Sequence, residues 1–302
     1  MDLDVGVVGL GPMGKALASA LIASGHDLTV WDRDAEKIAT TAMLGAGTAV
    51  DARQVAAQCD VVFTALPDRD AVLEVALDDD AGILAGLREG GLLVEMTTAD
   101  PALARTLDSA FRAAGRRFVD APVSGKAPRM SVLLGARHDE LDDDVVALLN
   151  EVSSTLVHCG ARGSGYAAKL VNQHIKYAWY LASAEALLIA KRYGLDPQTA
   201  IEAVTTSSGS SRGFADAAAY FLHDSAEIKK HAAVSTIAKD MKLAADFAST
   251  VGVHSPTLAA VDDFFAHALD SPYATRPFPE SIALLETLRV DAEGAMKSRE
   301  QQ

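Results

Sequence analysis

The sequence lacks the features of a disulfide-bonded, nucleic-acid-binding or membrane-spanning protein. Its two cysteines, Cys59 and Cys159, lack metal-site spacing, so we expect two buried free thiols. Lys and Arg number 27 against 41 Asp and Glu, and the net charge of −14 argues against a nucleic-acid partner. No apolar run approaches the roughly 20 residues of a membrane span, and no basic region precedes an apolar one at the start. We therefore expect a cytoplasmic protein with no membrane partner.

The first half of the chain alternates short apolar runs with alanine-rich amphipathic segments. This pattern is typical of repeated βαβ units around a mostly parallel sheet covered on both faces. It predicts an α/β class with a doubly wound, Rossmann-type sheet. The predicted strands are Val5 to Leu10, Leu28 to Trp31, Val61 to Leu66, Leu92 to Met96, Arg117 to Ala121, Val132 to Leu134 and Thr155 to His158.

The second half has no convincing strand pattern after Gly165 and is expected to be all-α. Its first helix is predicted over about residues 166–193, a run without Pro or Gly, and Gly194 can end it. Asp196 and Pro197 suit the cap and first position of the next helix. We predict a Rossmann domain over 1–163 and an all-α domain over 164–302 for substrate binding and oligomerisation, with the long helix between domains.

A glycine-rich turn follows the first predicted strand and opens a helix. The motif Gly9-Leu-Gly-Pro-Met-Gly14 has the spacing that lets backbone approach a pyrophosphate at a helix N-terminus. An acidic residue, Asp32, ends the next strand, where it can bond a ribose diol. We therefore predict a dinucleotide site. Its first candidates are Gly9, Leu10, Gly11, Pro12, Met13, Gly14, Asp32 and Arg33.

The sequence leaves the choice between NAD and NADP open. The charge of Asp32 opposes a 2′-phosphate and favours NAD. Arg33 beside it has two interpretations, a grip on the 2′-phosphate of NADP or an exposed side chain at a strand end. We expect NAD, with NADP possible.

A second glycine-rich segment leads into the long helix. Gly160, Gly163 and Gly165 precede Lys169 and Asn172, which project from one helix face at i and i+3. Burial of Lys169 would favour the neutral amine, the form that accepts a proton. The alternative is a lysine that reaches solvent beside an amide that bonds backbone.

Four ordered motifs make the chain resemble the β-hydroxyacid dehydrogenase family over nearly its whole length, with members such as 3-hydroxyisobutyrate dehydrogenase and tartronate semialdehyde reductase. They are Gly9-Leu-Gly-Pro-Met-Gly14, Asp120-Ala-Pro-Val-Ser-Gly125, Gly160-x-x-Gly-x-Gly-x-x-x-Lys169-x-x-Asn172 and Lys239-Asp-x-x-Leu-Ala244. The resemblance implies reversible hydride transfer between a β-hydroxyacid and a nicotinamide cofactor. It also implies a helical domain of the 6-phosphogluconate dehydrogenase type.

The resemblance also assigns roles to individual residues. Lys169 becomes the catalytic acid/base and Asn172 orients the substrate, whose carboxylate is held by Ser124 and Gly125. Gln173 stands where the family often has a second asparagine, as a further substrate contact. The remaining cofactor contacts implied are Leu66, Pro67, Thr98 and Lys239.

The chain departs from the family in the loop after Gly125. Lys126 and Arg129 add positive charge there and suit either a second anionic group on the substrate or exposure to solvent. No His pair has metal spacing, so we expect no metal.

Two rival functions stand beside the dehydrogenase. Imine reductases share this architecture but usually lack the lysine at position 169, and a non-catalytic NAD(P)-binding sensor or scaffold would need neither Lys169 nor Asn172. The expected partners are a small-molecule hydroxyacid and further copies of the chain, as a homodimer or homotetramer formed through the helical domain.

Overall fold

The computed structural model describes residues 3–125, 127–290 and 296–298. The chain divides into two compact units, Met1–Lys169 and Leu170–Gln302, each with its own apolar core. The predicted domain boundary after residue 163 stays a prediction.

Six parallel strands form the main sheet of the first unit, in the order β3-β2-β1-β4-β5-β6. They are β1 (Val5–Val8), β2 (Leu28–Trp31), β3 (Gly47–Thr48), β4 (Val61–Thr64), β5 (Leu92–Glu95) and β6 (Arg117–Asp120). This is the strand order of the doubly wound dinucleotide-binding fold, and it confirms the predicted class. The ligand-binding edge of such a sheet lies beyond the carboxyl ends of the strands.

Both faces of this sheet are buried at its central strands, which explains why these strands are largely apolar. Val7 and Phe63 belong to one apolar cluster, whereas their chain neighbours Val8 and Val62 belong to another. Successive side chains of a strand point to opposite faces, so the two clusters are the two sides of the sheet. The helices of this unit before the long one are α1 (Pro12–Ala23), α2 (Ala35–Ala42), α3 (Ala52–Gln58), α4 (Arg69–Leu77), α5 (Ile83–Gly86), α6 (Pro101–Ala113) and α7 (Asp143–Val152).

A smaller sheet of three strands completes the first unit. Strand β7 (Val123–Ser124) pairs antiparallel with β8 (Met130–Leu134), which pairs parallel with β9 (Ser153–His158). The sequence predicted β8 and β9 but not β7 or β3, because two residues carry no detectable periodicity.

The second unit is built of helices around an aromatic core. Helix α8 (Ser164–Tyr193) begins in the first unit and continues into the second, as predicted to within two residues. Tyr180 is fully buried and donates to the carbonyl of Phe278 over 3.0 Å. The remaining helices are α9 (Pro197–Thr205), α10 (Arg212–Phe221), α11 (Ser225–Ile228), α12 (Val234–Thr250), α13 (Pro256–Leu269), a 3-10 turn at Phe278–Ser281 and α14 (Ile282–Thr287).

The ends of two helices confirm predictions made from single residues. Gly194 has a φ of +96°, the left-handed conformation that ends α8. Asp196 caps α9 by accepting from the Thr199 N–H over 2.9 Å, and Pro197 occupies the first position.

Three expectations need correction. The second half is not wholly helical, because β10 (Leu288–Val290) and β11 (Met296–Ser298) form an antiparallel pair, and three residues are too few to show a strand signature. Cys59 and Cys159 are free thiols, but only Cys59 is buried, since Cys159 lies after the partly exposed edge strand β9. Predicted strand ends such as Leu10 lie beyond the strand, because the chain turns at Gly9.

No helix in the described part of the chain is long and apolar enough to cross a membrane.

Candidate functional site

In the glycine-rich turn between β1 and α1, backbone conformation or packing requires two of the three glycines but not the third. Gly9 has a φ of +90°, a conformation that other residues rarely adopt. A Cβ on Gly14 would lie 1.8 Å from the Gly9 carbonyl oxygen, so this position also requires glycine. A Cβ on Gly11, in contrast, would meet nothing within 4 Å. Gly11 therefore borders open space, as expected where a ligand approaches the backbone.

Helix α1 begins at this turn without a side chain over its N-terminus. Its cap residue is Gly11, no side-chain hydrogen bond caps it within the described chain, and Pro12 follows at the first position. The first N–H groups of a helix carry partial positive charge and bind anions. The turn and helix end, with Leu10 and Met13 beside them, fit a dinucleotide pyrophosphate.

Asp32 lies at the end of β2 and holds the glycine turn in place. Its carboxylate accepts from the Leu10 N–H over 2.7 Å and from the Asp34 N–H over 2.9 Å, and the side chain is 8% exposed. Each carboxylate oxygen can accept a further bond, so contact with a ribose stays available. The neighbouring Arg33 is exposed.

The loops after β4 and β5 meet at the same edge of the sheet. The Leu66 N–H donates to the Thr97 hydroxyl over 3.0 Å, which ties the two loops together. Pro67 and Thr98 follow these residues; Pro67 is exposed and Thr98 is partly exposed. Because parallel strands end at one edge, these positions lie at the same side of the sheet as the glycine turn.

A buried carboxylate with no role assigned from the sequence, Asp120, organises the start of α8. Asp120, fully buried at the end of β6, accepts from the Gly163 N–H over 2.7 Å and from the Tyr166 N–H over 3.0 Å. Burial raises the pKa of Asp120, and these backbone bonds oppose the change. A Cβ on Gly165 would lie 2.3 Å from the Leu133 carbonyl oxygen and 2.9 Å from Asp120. The glycines of the segment that leads into α8 thus allow the start of this helix to approach the sheet.

A second buried carboxylate, Glu95, fixes the next turn of this helix. Glu95 is fully buried at the end of β5, and its Oε2 accepts from the Tyr166 hydroxyl, while its Oε1 accepts from the Thr97 N–H over 2.9 Å. Burial raises the pKa of Glu95 to about 7. Asp120 and Glu95 therefore both hold Tyr166, three residues before Lys169.

Lys169 is buried and anchored beside a predicted substrate residue. Its side chain is 7% exposed, and Nζ donates to the Val123 carbonyl oxygen over 2.8 Å. Val123 directly precedes Ser124, which is partly exposed, and Gly125, which turns with a φ of +89°. The first unit thus brings together Lys169 and the Ser124-Gly125 turn, although they are more than forty residues apart in sequence. The interpretation of Lys169 as a solvent-reaching side chain is wrong.

The other predicted residues lie in the second unit. Asn172 Nδ2 donates to Gln173 Oε1 over 3.2 Å, and Gln173 Nε2 donates to Asp240 Oδ2 over 2.7 Å. Lys239 Nζ lies 3.4 Å from Asp240 Oδ1. Asp240 therefore joins Gln173 to Lys239. Asp240 lies within the Lys239-Asp-x-x-Leu-Ala244 motif, and its only signal in the sequence is a carboxylate beside a lysine.

The two charged residues of the loop after Gly125 are Lys126 and Arg129. Arg129 is exposed, and Lys126 lies outside the described residues. In the described chain no cluster of three or more His, Cys, Asp or Glu side chains is placed to hold a metal ion.

Comparison with protein families identifies both halves of the chain. Residues 4–160 match the NAD-binding domain of 6-phosphogluconate dehydrogenase, and residues 163–284 match the NAD-binding domain of NADP-dependent 3-hydroxyisobutyrate dehydrogenase. Together the two matches contain every predicted site residue.

Individual relatives agree with these matches. The chain is 34% identical to a probable 3-hydroxyisobutyrate dehydrogenase-like protein of Arabidopsis thaliana, over 70% of the chain and 64% of that protein. It is 30% identical to a glyoxylate/succinic semialdehyde reductase of the same plant, over 99% of the chain and 81% of that protein. The solved 3-hydroxyisobutyrate dehydrogenase of Mycobacterium tuberculosis with L-serine has a TM-score of 0.85 and 25% identity, covering 94% of this chain and 99% of its own. The chain belongs to the β-hydroxyacid dehydrogenase family of NAD(P)-dependent oxidoreductases.

Proposed function

We propose that Lys169 exchanges a proton with the oxygen of a short β-hydroxyacid, or of the corresponding carbonyl compound, during NAD(P)-dependent oxidation or reduction. The observation that carries this proposal is the position of its Nζ, buried and 2.8 Å from the carbonyl oxygen that precedes Ser124. A proton-transfer group needs this kind of fixed position beside the reacting atoms.

The cofactor, when bound, supplies the acceptor or donor of the hydride on the reacting carbon. Proton transfer and substrate binding depend on groups of the protein itself. Lys169 takes the hydroxyl proton in oxidation and returns it in reduction, and a positive charge there stabilises a developing alkoxide. The Ser124 hydroxyl and the Gly125 N–H hold the carboxylate, while Asn172 and Gln173 orient the substrate through their amides.

The glycine turn would hold the pyrophosphate, and Asp32 would hold the adenosine ribose. We expect NAD to be preferred, because the buried carboxylate of Asp32 opposes a 2′-phosphate. Arg33 is exposed and is the side chain that would favour NADP instead. Leu66, Pro67 and Thr98, at the same edge of the sheet as the glycine turn, would be further cofactor contacts. Lys239 of the second unit is also assigned to the cofactor.

The chain would assemble with further copies of itself through its helical unit. Helix α8 exposes a series of large apolar side chains, and such a face is typical of a subunit interface. These side chains are Val171, Ile175, Trp179, Ile189 and Tyr193.

Replacement of Lys169 by methionine tests the proposed chemistry. We expect kcat to fall by roughly 10²- to 10⁴-fold, the usual contribution of a general acid or base. The dissociation constant of the cofactor should change less than about twofold, because Lys169 is assigned to the substrate and not to the dinucleotide. Lys242→Met on α12, which removes an exposed lysine, is the matched control and should keep full activity.

The substrate panel for this test follows from the relatives. It contains 3-hydroxyisobutyrate, L-serine, succinic semialdehyde and glyoxylate, each assayed with NAD(H) and NADP(H). Near-normal kcat in Lys169→Met would refute the proton-transfer role. Wild-type protein that binds the cofactor but turns over no member of the panel would favour a non-catalytic sensor.

A further inference from the structure

Two short segments of the first unit are bonded to each other at both of their ends. One runs from Asp120 to Val123 and the other from Tyr166 to Lys169, and we call the two together the lysine frame. Asp120 Oδ2 accepts from the Tyr166 N–H over 3.0 Å, and the Val123 carbonyl oxygen accepts from Lys169 Nζ over 2.8 Å. The position of Lys169 beside the substrate turn therefore depends on the rigidity of this frame.

The first segment of the lysine frame is fixed by the two sheets of the unit. The Ala121 N–H donates to the Glu95 carbonyl oxygen over 2.7 Å, and the Pro122 carbonyl oxygen accepts from the Leu133 N–H over 2.9 Å. Ala121, Pro122 and Val123 are all buried. The second segment lies in α8, and a helix anchored only through its backbone can still turn about its own axis. The rigidity of the frame is therefore decided on the helix side.

The side chain of Tyr166 resists such a rotation. Asp120 bonds only backbone N–H groups of the helix start, which almost any residue supplies. The Tyr166 hydroxyl, at the far end of a long rigid side chain, donates to Glu95 Oε2. Lys169 follows three residues later, about 60° around the helix and about 4.5 Å along its axis. A rotation that moved Lys169 sideways would therefore pull the hydroxyl away from Glu95.

The bond between Tyr166 and Glu95 persists while the carboxyl group titrates. Burial raises the pKa of Glu95 to about 7, so both of its protonation states occur near neutral pH. Burial and the neighbouring Glu95 hold the pKa of Tyr166 well above its usual value, so the hydroxyl keeps its proton. An ionised carboxylate accepts from this hydroxyl, and a protonated carboxyl group can donate to it. The anchor is therefore available in both states.

Packing alone does not explain this pair of side chains. Tyr166 and Glu95 are both fully buried. A phenylalanine and a leucine would fill the same space without the free-energy cost of taking an ionisable group out of water. Because the chain bears that cost one helical turn before Lys169, the pair indicates a role in holding the helix.

We propose that Tyr166 is a positioning residue, whose bond to Glu95 fixes the rotation of α8 and so holds Lys169 Nζ at the Val123 carbonyl oxygen. This inference rests on the proposed function, since only a lysine that exchanges a proton with the substrate needs so exact a position. Tyr166 and Glu95 act through Lys169 and do not exchange the proton themselves.

Acetylation of lysines by N-hydroxysuccinimidyl acetate tests this role without a substrate. In the wild type Lys169 should react slowly, because its side chain is 7% exposed and hydrogen-bonded. In Tyr166→Phe, which removes only the hydroxyl group, the rate at Lys169 should rise at least about fivefold, as read by peptide mass spectrometry. The exposed Lys242 is the internal reference and should react equally in both proteins.

Two further variants separate positioning from the mere loss of a bond. Glu95→Gln should keep the Lys169 rate within about twofold of the wild type, because its amide can donate to the Tyr166 oxygen and accept from the Thr97 N–H. Tyr220→Phe is the matched control, because it removes another tyrosine–glutamate bond, the 3.1 Å contact of Tyr220 with Glu286 in the second unit. It should leave the Lys169 rate unchanged.

Turnover supplies the second measurement. On the best substrate of the panel, kcat of Tyr166→Phe should fall at least about tenfold, since a misplaced proton-transfer group is a poor one. The dissociation constant of the cofactor should stay within about twofold. A smaller change in either the acetylation rate or kcat would overturn the positioning role and leave the proposed function intact.

Failure of the proposed function gives a different result. If the wild type turns over no member of the panel, that function fails, and the acetylation rates alone still decide whether Tyr166 holds Lys169. Circular dichroism identifies a Tyr166→Phe protein that does not fold. Glu95→Leu, which removes the acceptor of the same bond, then takes its place with the same expected changes.

Discussion

Glu95 is a carboxyl group that the fold keeps away from water, and its titration should be visible in the stability of the protein. Glutamate titrates near 4.5 in an unfolded chain, whereas burial raises the pKa of Glu95 to about 7. Between these pH values the folded state holds a proton that the unfolded state has released. The contribution of Glu95 to the unfolding free energy should therefore be largest below about pH 4.5 and should decrease by about 3 kcal/mol as the pH rises to about 7.

Replacement of Glu95 by glutamine tests this assignment. The amide keeps an acceptor for the Thr97 N–H but cannot ionise, so the decrease contributed by Glu95 should disappear. The loss of unfolding free energy between pH 4.5 and pH 8, measured by urea titration, should be about 2–3 kcal/mol smaller than in the wild type. Glu89→Gln, at an exposed position of the same unit, serves as the control. A pH dependence shared by wild type and Glu95→Gln would show that Glu95 is ionised in the folded protein at low pH.

Single residues differ in how far their roles could be predicted. Asp32 and Lys169 were found because each belongs to a motif with fixed local spacing. Glu95 belongs to no motif, and Asp120 opens one in which only Ser124 and Gly125 were assigned roles, since each carboxylate looks like an ordinary acidic residue at the end of a strand. Their partners at Gly163 and Tyr166 lie 43 and 71 residues further along the chain. Only the tertiary fold shows that they fix the start of α8.

At the scale of elements, the β1–α1 turn allows packing and ligand binding to be separated. Replacing Gly11 with alanine should change the unfolding free energy by less than about 1 kcal/mol, because the new Cβ meets nothing within 4 Å. The affinity for NAD should nevertheless fall at least about tenfold, because the methyl group occupies the space through which the pyrophosphate approaches the backbone. Thermal unfolding and fluorescence titration with NAD and NADP measure the two effects.

Gly14→Ala provides the contrast within the same turn. Its Cβ would lie 1.8 Å from the Gly9 carbonyl oxygen, so the unfolding free energy should fall by about 1–3 kcal/mol or more. Unchanged NAD affinity in a stable Gly11→Ala protein would remove the turn from the cofactor site.

Elements were predicted well where local periodicity and end signals agree. The long strands and α8 follow from apolar runs and from the glycine that ends the helix. The two-residue strands β3 and β7 depend on partners elsewhere in the sheet, and the three-residue strands β10 and β11 are too short for their alternation to be distinguished from chance. These elements are set by tertiary contacts, which override weak local preferences.

At the scale of the whole molecule, the exposed side chains of α8 bear on assembly. Val171, Ile175, Trp179, Ile189 and Tyr193 are 54, 44, 50, 70 and 89% exposed. With about 3.6 residues per turn they fall within an arc of about 80°, and they extend over about 33 Å of helix. A face this long and apolar is unfavourable in water, and a second copy of α8 running in the opposite direction can cover it symmetrically. We call these five side chains the apolar stripe.

Disruption of the apolar stripe should separate the subunits. Ile175→Glu combined with Trp179→Glu places two like charges in the middle of the proposed interface, and we expect the dimer dissociation constant to rise at least about a hundredfold, since unpaired buried charges are costly. Val253→Glu adds a charge at another exposed apolar position, 57% exposed, and should leave assembly unchanged. Sedimentation velocity over a concentration series measures both. A wild-type protein that stays monomeric throughout the series, or a double variant that assembles as well as the wild type, would show that the interface lies elsewhere or does not form.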